Sequence, residues 1–403
     1  MIQNQEIDTL KSFYDLMEKT RSVRTAIVNR IFSLQPFEPK QIRNLKNALA
    51  SLEHCSQGSY KADLIIEGSA GIQVDLFYEI AELQKDIFYL ENGEEQFLSY
   101  LESLHSDFSS HVQNGVKQLE GKRFNCFITD RDGTINNYCG RYGTSIQSVY
   151  NALFLSRFAQ NCATNPIIIT SAPLKNTGIV DVSTLPEQTV IYAASKGREF
   201  IDLSGTRRSF TIDLEKQQLI DRLNQRLTVL VKDEAYERFS LIGSGLQQKF
   251  GQTTIARQDI SGSISEERSQ KFLDVIKRIV HELDPSGENL KIEDTGLDIE
   301  IILTVADGAA GLKDFDKREA IKFLDQELCL NMGSGPHLVC GDTGSDLPML
   351  EAVMEKSIDT WSVFVTKDPQ LAENTEAICP NAVTVPEPDM LIAILNQLAG
   401  TQK

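Results

Sequence analysis

No stretch of the 403-residue chain approaches the roughly 18 consecutive apolar residues of a membrane-spanning helix, so none is expected. The first residues, Met1 to Phe13, lack a basic segment followed by an apolar one, and no secretory signal is expected either. Basic charge is scarce: 40 Lys and Arg stand against 57 Asp and Glu, a net charge of −17. That argues against binding a nucleic-acid backbone or docking on an anionic membrane. A small phosphorylated molecule is still compatible, provided that a metal or a few basic residues concentrate positive charge at one site. The seven cysteines are odd in number, scattered, and nowhere spaced as CxxC. A disulfide framework or a structural zinc site is not expected, and reduced thiols in a cytoplasmic protein are.

What remains is an ordinary globular composition, 41% hydrophobic and 24% charged, long enough for two to three domains. Residues 1–120 read as helix, with prolines confined to Pro36 and Pro39. Ile80, Leu83, Ile87 and Leu90 fall on one helical face, and Leu98, Leu101, Leu104 and Phe108 repeat the pattern within a run from Phe97 to Val112. At Lys122 the texture changes. Phe124–Thr129 is a short apolar run of strand type, a helix with Ser145 as its cap is expected next, and Pro166–Thr170 is a second buried-strand run. Strand, helix and strand joined by short connections imply a parallel α/β layer. Pro336–Cys340, Ser362–Val365 and Ala382–Val385 read as further strands of it. The pieces of strand and helix between, over 175–305, look like a small α/β domain inserted into the main sheet.

Ligands of open parallel sheets bind beyond the C-terminal ends of the strands. Asp130 and Asp132 follow the first run, Thr170 and Ser171 end the second, Asp342 and Asp346 follow the later one, and Lys317 precedes a helix leading back into the core. Three carboxylates, Asp130, Asp132 and Asp342, can converge on a hard cation such as Mg²⁺, which prefers oxygen ligands. A carboxylate can itself attack phosphorus, and a second one two residues on can protonate the leaving oxygen and later activate water. Thr170, or its neighbour Ser171, and Lys317 supply a hydroxyl and a positive charge for phosphoryl oxygens. Gly133 lets the backbone approach the ligand.

The set Asp130-Arg-Asp-Gly-Thr134, Ile167-Ile-Ile-Thr170, Lys317 and Gly341-Asp-Thr-Gly-Ser-Asp346 resembles the four motifs of the haloacid dehalogenase superfamily of phosphatases, over about 122–395. The resemblance implies a Rossmann-like catalytic core over 121–174 and 306–403, an inserted α/β cap over 175–305 and the helical region over 1–120. It implies Asp130 as nucleophile, Asp132 as acid/base, Thr170 and Lys317 as phosphate ligands, and Asp342 supported by Asp346 at the Mg²⁺, with Asp130 and Asp132 completing the metal site. Lys313 rivals Lys317, and Ser171 rivals Thr170. The long stretch between Thr170 and Lys317 places the cap between the second and third motifs, as in trehalose-phosphate and sucrose-phosphate phosphatases. Tyr192-Ala-Ala-Ser-Lys-Gly-Arg-Glu199 is similar to a Tyr-Ala-Gly-x-His-Gly-x-Glu stretch of the trehalose-phosphate enzymes, with Lys196 replacing the histidine. Leu297-Asp-Ile-Glu-Ile301 is similar to their strand bearing a sugar-contacting glutamate. Lys196, Arg198, Glu199 and Glu300 are by that resemblance sugar contacts.

The helical N-terminus, the Asp-Arg-Asp-Gly-Thr motif and Thr170-Ser-Ala-Pro173 look most like cyanobacterial glucosylglycerol-phosphate phosphatases. The expectation is therefore a Mg²⁺-dependent, cytoplasmic hydrolase acting on glucosylglycerol phosphate in compatible-solute synthesis and salt tolerance. The alternatives are trehalose 6-phosphate or sucrose 6-phosphate as substrate, or a regulatory partner of a sugar-phosphate synthase that docks through the N-terminal helices.

Overall fold

The computed structural model describes residues 2–66, 71–307, 311–313 and 315–401. Its centre is an eight-stranded sheet in the order Ala382–Val385, Thr360–Val365, His337–Gly341, Phe124–Thr129, Ala163–Ile169, Ile191–Ala194, Glu199–Ile201 and Arg207–Ser209. The first six strands run parallel and the last two are antiparallel. Phe127, Ile128, Ile167, Ile169, Leu338 and Val339 are buried, as expected for continuous apolar runs covered on both faces. Phe124–Thr129 has its sequence successor on one side and His337–Gly341 on the other, so the winding reverses there. Thr129 pairs with both Ile168 and Cys340, which brings the residues after all three strands to one edge.

The expected cap boundary at 175 does not match this topology. Ile191–Ala194 is a parallel strand of the main sheet, with Ile191 and Ala193 buried, and the chain adds two more strands there through Ser209. Only then does it leave for the cap. A four-residue apolar strand reads the same whichever sheet it joins, so the sequence left this open. The cap itself is an antiparallel sheet ordered Leu290–Asp294, Asp298–Leu303, Gln252–Ala256 and Leu246–Lys249. The helices Leu214–Leu230 and Glu266–Leu283 accompany it. Phe272, Leu273, Ile276, Ile279 and Val280 form the buried stripe of the second, and Phe272 stacks on Phe239 with ring centroids 3.7 Å apart.

The N-terminal region holds five helices, Leu10–Phe32, Pro39–Ser56, Phe77–Asn92, Glu94–Leu104 and Phe108–Leu119. It also holds an antiparallel hairpin, Lys61–Leu64 with Ile72–Asp75, that periodicity did not reveal. The run expected from Phe97 to Val112 is two helices, broken where Asp107 takes a left-handed conformation. Ser145 is not a helix cap either: the core helix is Val149–Cys162, and Ser145 binds side chains of the loop before it. The N–H of Val149 is instead met by Asp86, a residue of the N-terminal helices, at 2.7 Å. Asp86 also pairs with Arg24 at 2.6 Å, both side chains fully buried. No described helix is long and apolar enough to cross a membrane, and the seven thiols are free.

Glu79, on the helix Phe77–Asn92, carries a prediction. It is 1% exposed and accepts a hydrogen bond from Thr144, while its Oε2 has no partner among the described residues. Burial pushes its pKa from 4.5 up to about 7, against the opposing Thr144 bond and Arg141 charge. The folded chain thus holds a proton that the unfolded chain releases. This contribution to stability is full below the unfolded value and is lost as pH rises through about 7, a cost of about 3 kcal/mol. Glu79→Gln keeps the acceptor without the charge. Thermal melts should show the variant several degrees above the parent at pH 8 and level with it at pH 4; equal melts at both would refute the assignment.

Candidate active site

A cavity of about 250 Å³ opens beyond the C-terminal ends of the core strands, with the cap sheet on its far side. Asp130, Asp132, Thr170, Ser171, Lys317 and Asp342 line it from the core, so four motif segments separated by up to half the chain do meet. Asp130 continues its strand, its N–H bonding Cys340 O at 3.0 Å. The chain then winds about the carbonyl of Arg131, which accepts the N–H groups of Thr134, Ile135 and Asn136. Gly133 has φ +88°, and a Cβ there would fall 2.2 Å from Asp342 Oδ2. The glycine is therefore required twice, by conformation and by space.

Lys317 is the first residue of the helix Lys317–Leu328, whose N-terminus is capped by Asp316. Its ammonium lies 2.5 Å from Asp130 Oδ1 and also bonds Asp346 Oδ1. Lys313, its rival, has a side chain outside the described residues. Asp346 is only 1% exposed and does not line the cavity. Its Oδ2 accepts the backbone N–H groups of Asp342 and Thr343, both at 3.0 Å. With one oxygen on Lys317 and the other on the loop, it anchors both and supports Asp342 from behind. Asp132 is likewise engaged: Arg131 and Ser145 bond its Oδ1. Thr170 Oγ1 accepts Ala172 N–H at 3.2 Å, and Ser171 is the more exposed of the two hydroxyls. Both line the cavity.

Burial raises the pKa of Asp130, and the charges of Asp346 and Asp342 act in the same direction against Lys317. Asp342 is raised to about 7, by burial and then by Asp346, with its bond from Thr134 opposing. Asp346 is the one held low; burial disfavours its charge, but Lys317 and the backbone bonds outweigh that. One ammonium thus faces more carboxylate charge than it can balance. Asp130 Oδ2 and Asp342 Oδ2 have no hydrogen-bond partner among the described residues. This donor set fits a hard divalent cation held by Asp130 and Asp342. Among the described residues no three acidic, thiol or imidazole side chains are gathered as a ready cluster, so water, backbone or substrate would supply its other ligands.

Two of the expected sugar contacts are structural. Arg198 is 2% exposed, and its guanidinium bonds the carbonyls of Gly251 and Leu303, where the cap hairpin turns and where the cap returns to the core. It packs over the ring of Phe315, 5.2 Å from its centroid. Arg198 therefore ties the core to the cap at two carbonyls. Glu199 accepts from Ser195 Oγ at 2.9 Å, Leu174 N–H at 3.3 Å and Arg207 at 2.7 Å, buried within the core loops. Glu300 does line the cavity, and Lys196 Nζ lies 3.4 Å from it.

The sequence did not reveal the rest of the cap face. Thr254 pairs with both Gln247 and Glu300, and the two-residue alternation puts Lys249 and Asp298 on the same side. All five line the cavity, as does Tyr138. Burial lowers the pKa of Lys249 to about 8, against the pull of Glu300 and Asp298. The alternation of Gln247 and Lys249 before Phe250-Gly251 was the available signal, but a four-residue polar strand is too weak a pattern to read alone.

Known proteins similar to this chain carry trehalose-phosphate names. Residues 127–391 match the family described as trehalose-6-phosphate phosphatase, C-terminal, and residues 9–108 match the trehalose-6-phosphate phosphatase N-terminal helical bundle domain. The chain is 33% identical to alpha,alpha-trehalose-phosphate synthase [UDP-forming] 2 of Aphelenchoides avenae, over 98% of its own length and 32% of that protein. It is 27% identical to a trehalose-phosphatase of Brugia malayi, over 99% of this chain and 87% of the other. It thus spans about a third of the first synthase-named relatives. A solved trehalose-6-phosphate phosphatase related protein superposes with a TM-score of 0.46 at 15% identity, covering 68% of this chain and 97% of that one.

Proposed function

The chain belongs to the trehalose-6-phosphate phosphatase family, and on that premise we propose that it hydrolyses trehalose 6-phosphate to trehalose and phosphate. The observation that carries the reading is the cavity floor, where Asp130, Lys317 and Asp342 meet beneath a polar cap face bearing Lys249, Asp298 and Glu300. Asp130 is the nucleophile. Lys317 holds it in place and faces the phosphoryl oxygens, with Thr170 and Ser171 as hydroxyl donors. Asp132 gives a proton to the leaving sugar oxygen and then takes one from the water that releases phosphate. Mg²⁺ held by Asp130 and Asp342 would supply the charge that lets an anionic nucleophile approach an anionic ester. Gln247, Lys249, Thr254 and Glu300 offer donors and acceptors for sugar hydroxyls.

The relatives with trehalose-phosphate names favour this substrate over glucosylglycerol phosphate. Lys196, where the similar trehalose stretch has histidine, keeps the second substrate in the test. The synthase-named relatives, in which a stretch similar to this chain makes up about a third, support a synthase as the partner for the N-terminal helices.

Phosphate release from trehalose 6-phosphate, sucrose 6-phosphate and glucosylglycerol phosphate, each with Mg²⁺ and with EDTA, decides between these readings. The expected outcome is kcat/KM at least tenfold higher for trehalose 6-phosphate, and loss of turnover in EDTA. A higher value for glucosylglycerol phosphate would reverse the substrate assignment, and no release from any ester would remove the phosphatase reading.

A further inference from the structure

We propose that Arg131, the residue between the two motif aspartates, is a positioning residue that fixes the carboxyl of Asp132. The inference rests on the acid/base reading of Asp132 given above. Arg131 is 2% exposed and does not line the cavity, so it is not placed to touch substrate. Its Nη1 bonds Asp132 Oδ1 and lies 2.9 Å from Ser145 Oγ, and its Nη2 bonds the carbonyl of Ser145. Ser145 Oγ in turn bonds the same Asp132 oxygen at 3.1 Å. The guanidinium sits 5.8 Å from the ring centroid of Tyr142, on a wall of the same loop.

These bonds act on one oxygen only. Asp132 Oδ1 receives a charge-assisted bond and a hydroxyl bond, while Oδ2 has no hydrogen-bond partner among the described residues. Turning the carboxyl would break a partly buried ionic hydrogen bond and a hydroxyl bond together, which holds its rotamer. With Oδ1 turned to Arg131 and Ser145, Oδ2 is the oxygen left to face the substrate. In the first step an Asp130 oxygen bonds phosphorus, the ester P–O bond breaks, and the sugar alkoxide takes the proton from Asp132 Oδ2. In the second, Asp132 takes a proton from water, the water oxygen bonds phosphorus and the Asp130–phosphorus bond breaks. Both transfers use the same oxygen in the same place, as a carboxyl held in one rotamer requires.

The test uses single turnovers of the full chain with enzyme in excess, which report the first step. A sugar alkoxide needs a proton to leave, and p-nitrophenolate does not. Arg131→Met should slow release of trehalose from trehalose 6-phosphate by roughly 10- to 100-fold, part of the usual 10²–10⁴ of general acid catalysis. Release of p-nitrophenol from p-nitrophenyl phosphate should change less than about threefold, and Arg131→Lys should recover most of the loss. Should the panel favour glucosylglycerol phosphate, it replaces trehalose 6-phosphate. If Arg131→Met does not fold, Ser145→Ala should show the same split at smaller size. Equal losses on both esters, or none on either, would overturn the proposal. Asp132→Asn, run alongside, separates the two ideas: if it shows no split, the acid/base reading of Asp132 has itself failed.

Discussion

Asp130→Asn should give a folded protein that releases phosphate from no ester, with turnover reduced by roughly 10⁴-fold or more. The size follows from the chemistry: an amide nitrogen or oxygen at this position does not form the phosphoryl intermediate on which every later step depends. The fold should not suffer. Asp130 is partly buried beside Asp346 and Asp342, whose charges oppose its own, and Asn keeps an oxygen for Lys317. Thermal melts at pH 8 should therefore place the variant level with the parent or above it. Measurable turnover in a variant with an unchanged melt would remove Asp130 as the nucleophile.

Lys317→Met should cost both activity and stability. One ammonium serves Asp130 and Asp346, and it is 5% exposed. Removing one member of a buried ionic group leaves the others uncompensated, and about 3–5 kcal/mol is the usual cost. Loss of a charge aimed at the phosphoryl oxygens should add about 10²–10³ in kcat. Asp346 ties Lys317 to the backbone of Asp342, so the loop carrying the proposed metal ligand should loosen too, and half-saturation by Mg²⁺ should shift upward. Turnover and melting of Lys317→Met close to the parent's would return the role to Lys313.

The layout of the core was legible because the candidate residues stand where its strands end. Asp130, Thr170 and Asp342 each end an apolar strand run, and the parallel register carries them to one edge. Lys317 was legible because it opens a helix with a capping aspartate before it. The misread residues have the opposite property. Arg198 and Glu199 lie in a Lys-Gly-Arg-Glu stretch that would look the same facing a sugar, yet they tie the core to the cap and brace a loop from within. Asp346 and Asp342 share one acidic loop, and only packing withdraws the first from the cavity and leaves the second lining it. The cap residues Gln247, Lys249 and Thr254 act as a group only once three strands lie side by side, which no local pattern encodes. Asp298 and Glu300 sat in a recognised strand, but only Glu300 was singled out.

Asp86 gives the N-terminal helices a role in the layout of the whole chain. It is the acceptor for the opening N–H of a core helix, a task that most helices assign to their own flanking residue. The opposite end of the sequence is bound in as well, because Asp389 of the last helix accepts from Lys85, His105, Asn137 and Tyr150. The division near residue 120 is thus a boundary of sequence texture and not of mechanics. A chain cut there would leave a helix uncapped and a buried aspartate without two of its donors. Anyone isolating the catalytic half would be removing part of its foundation.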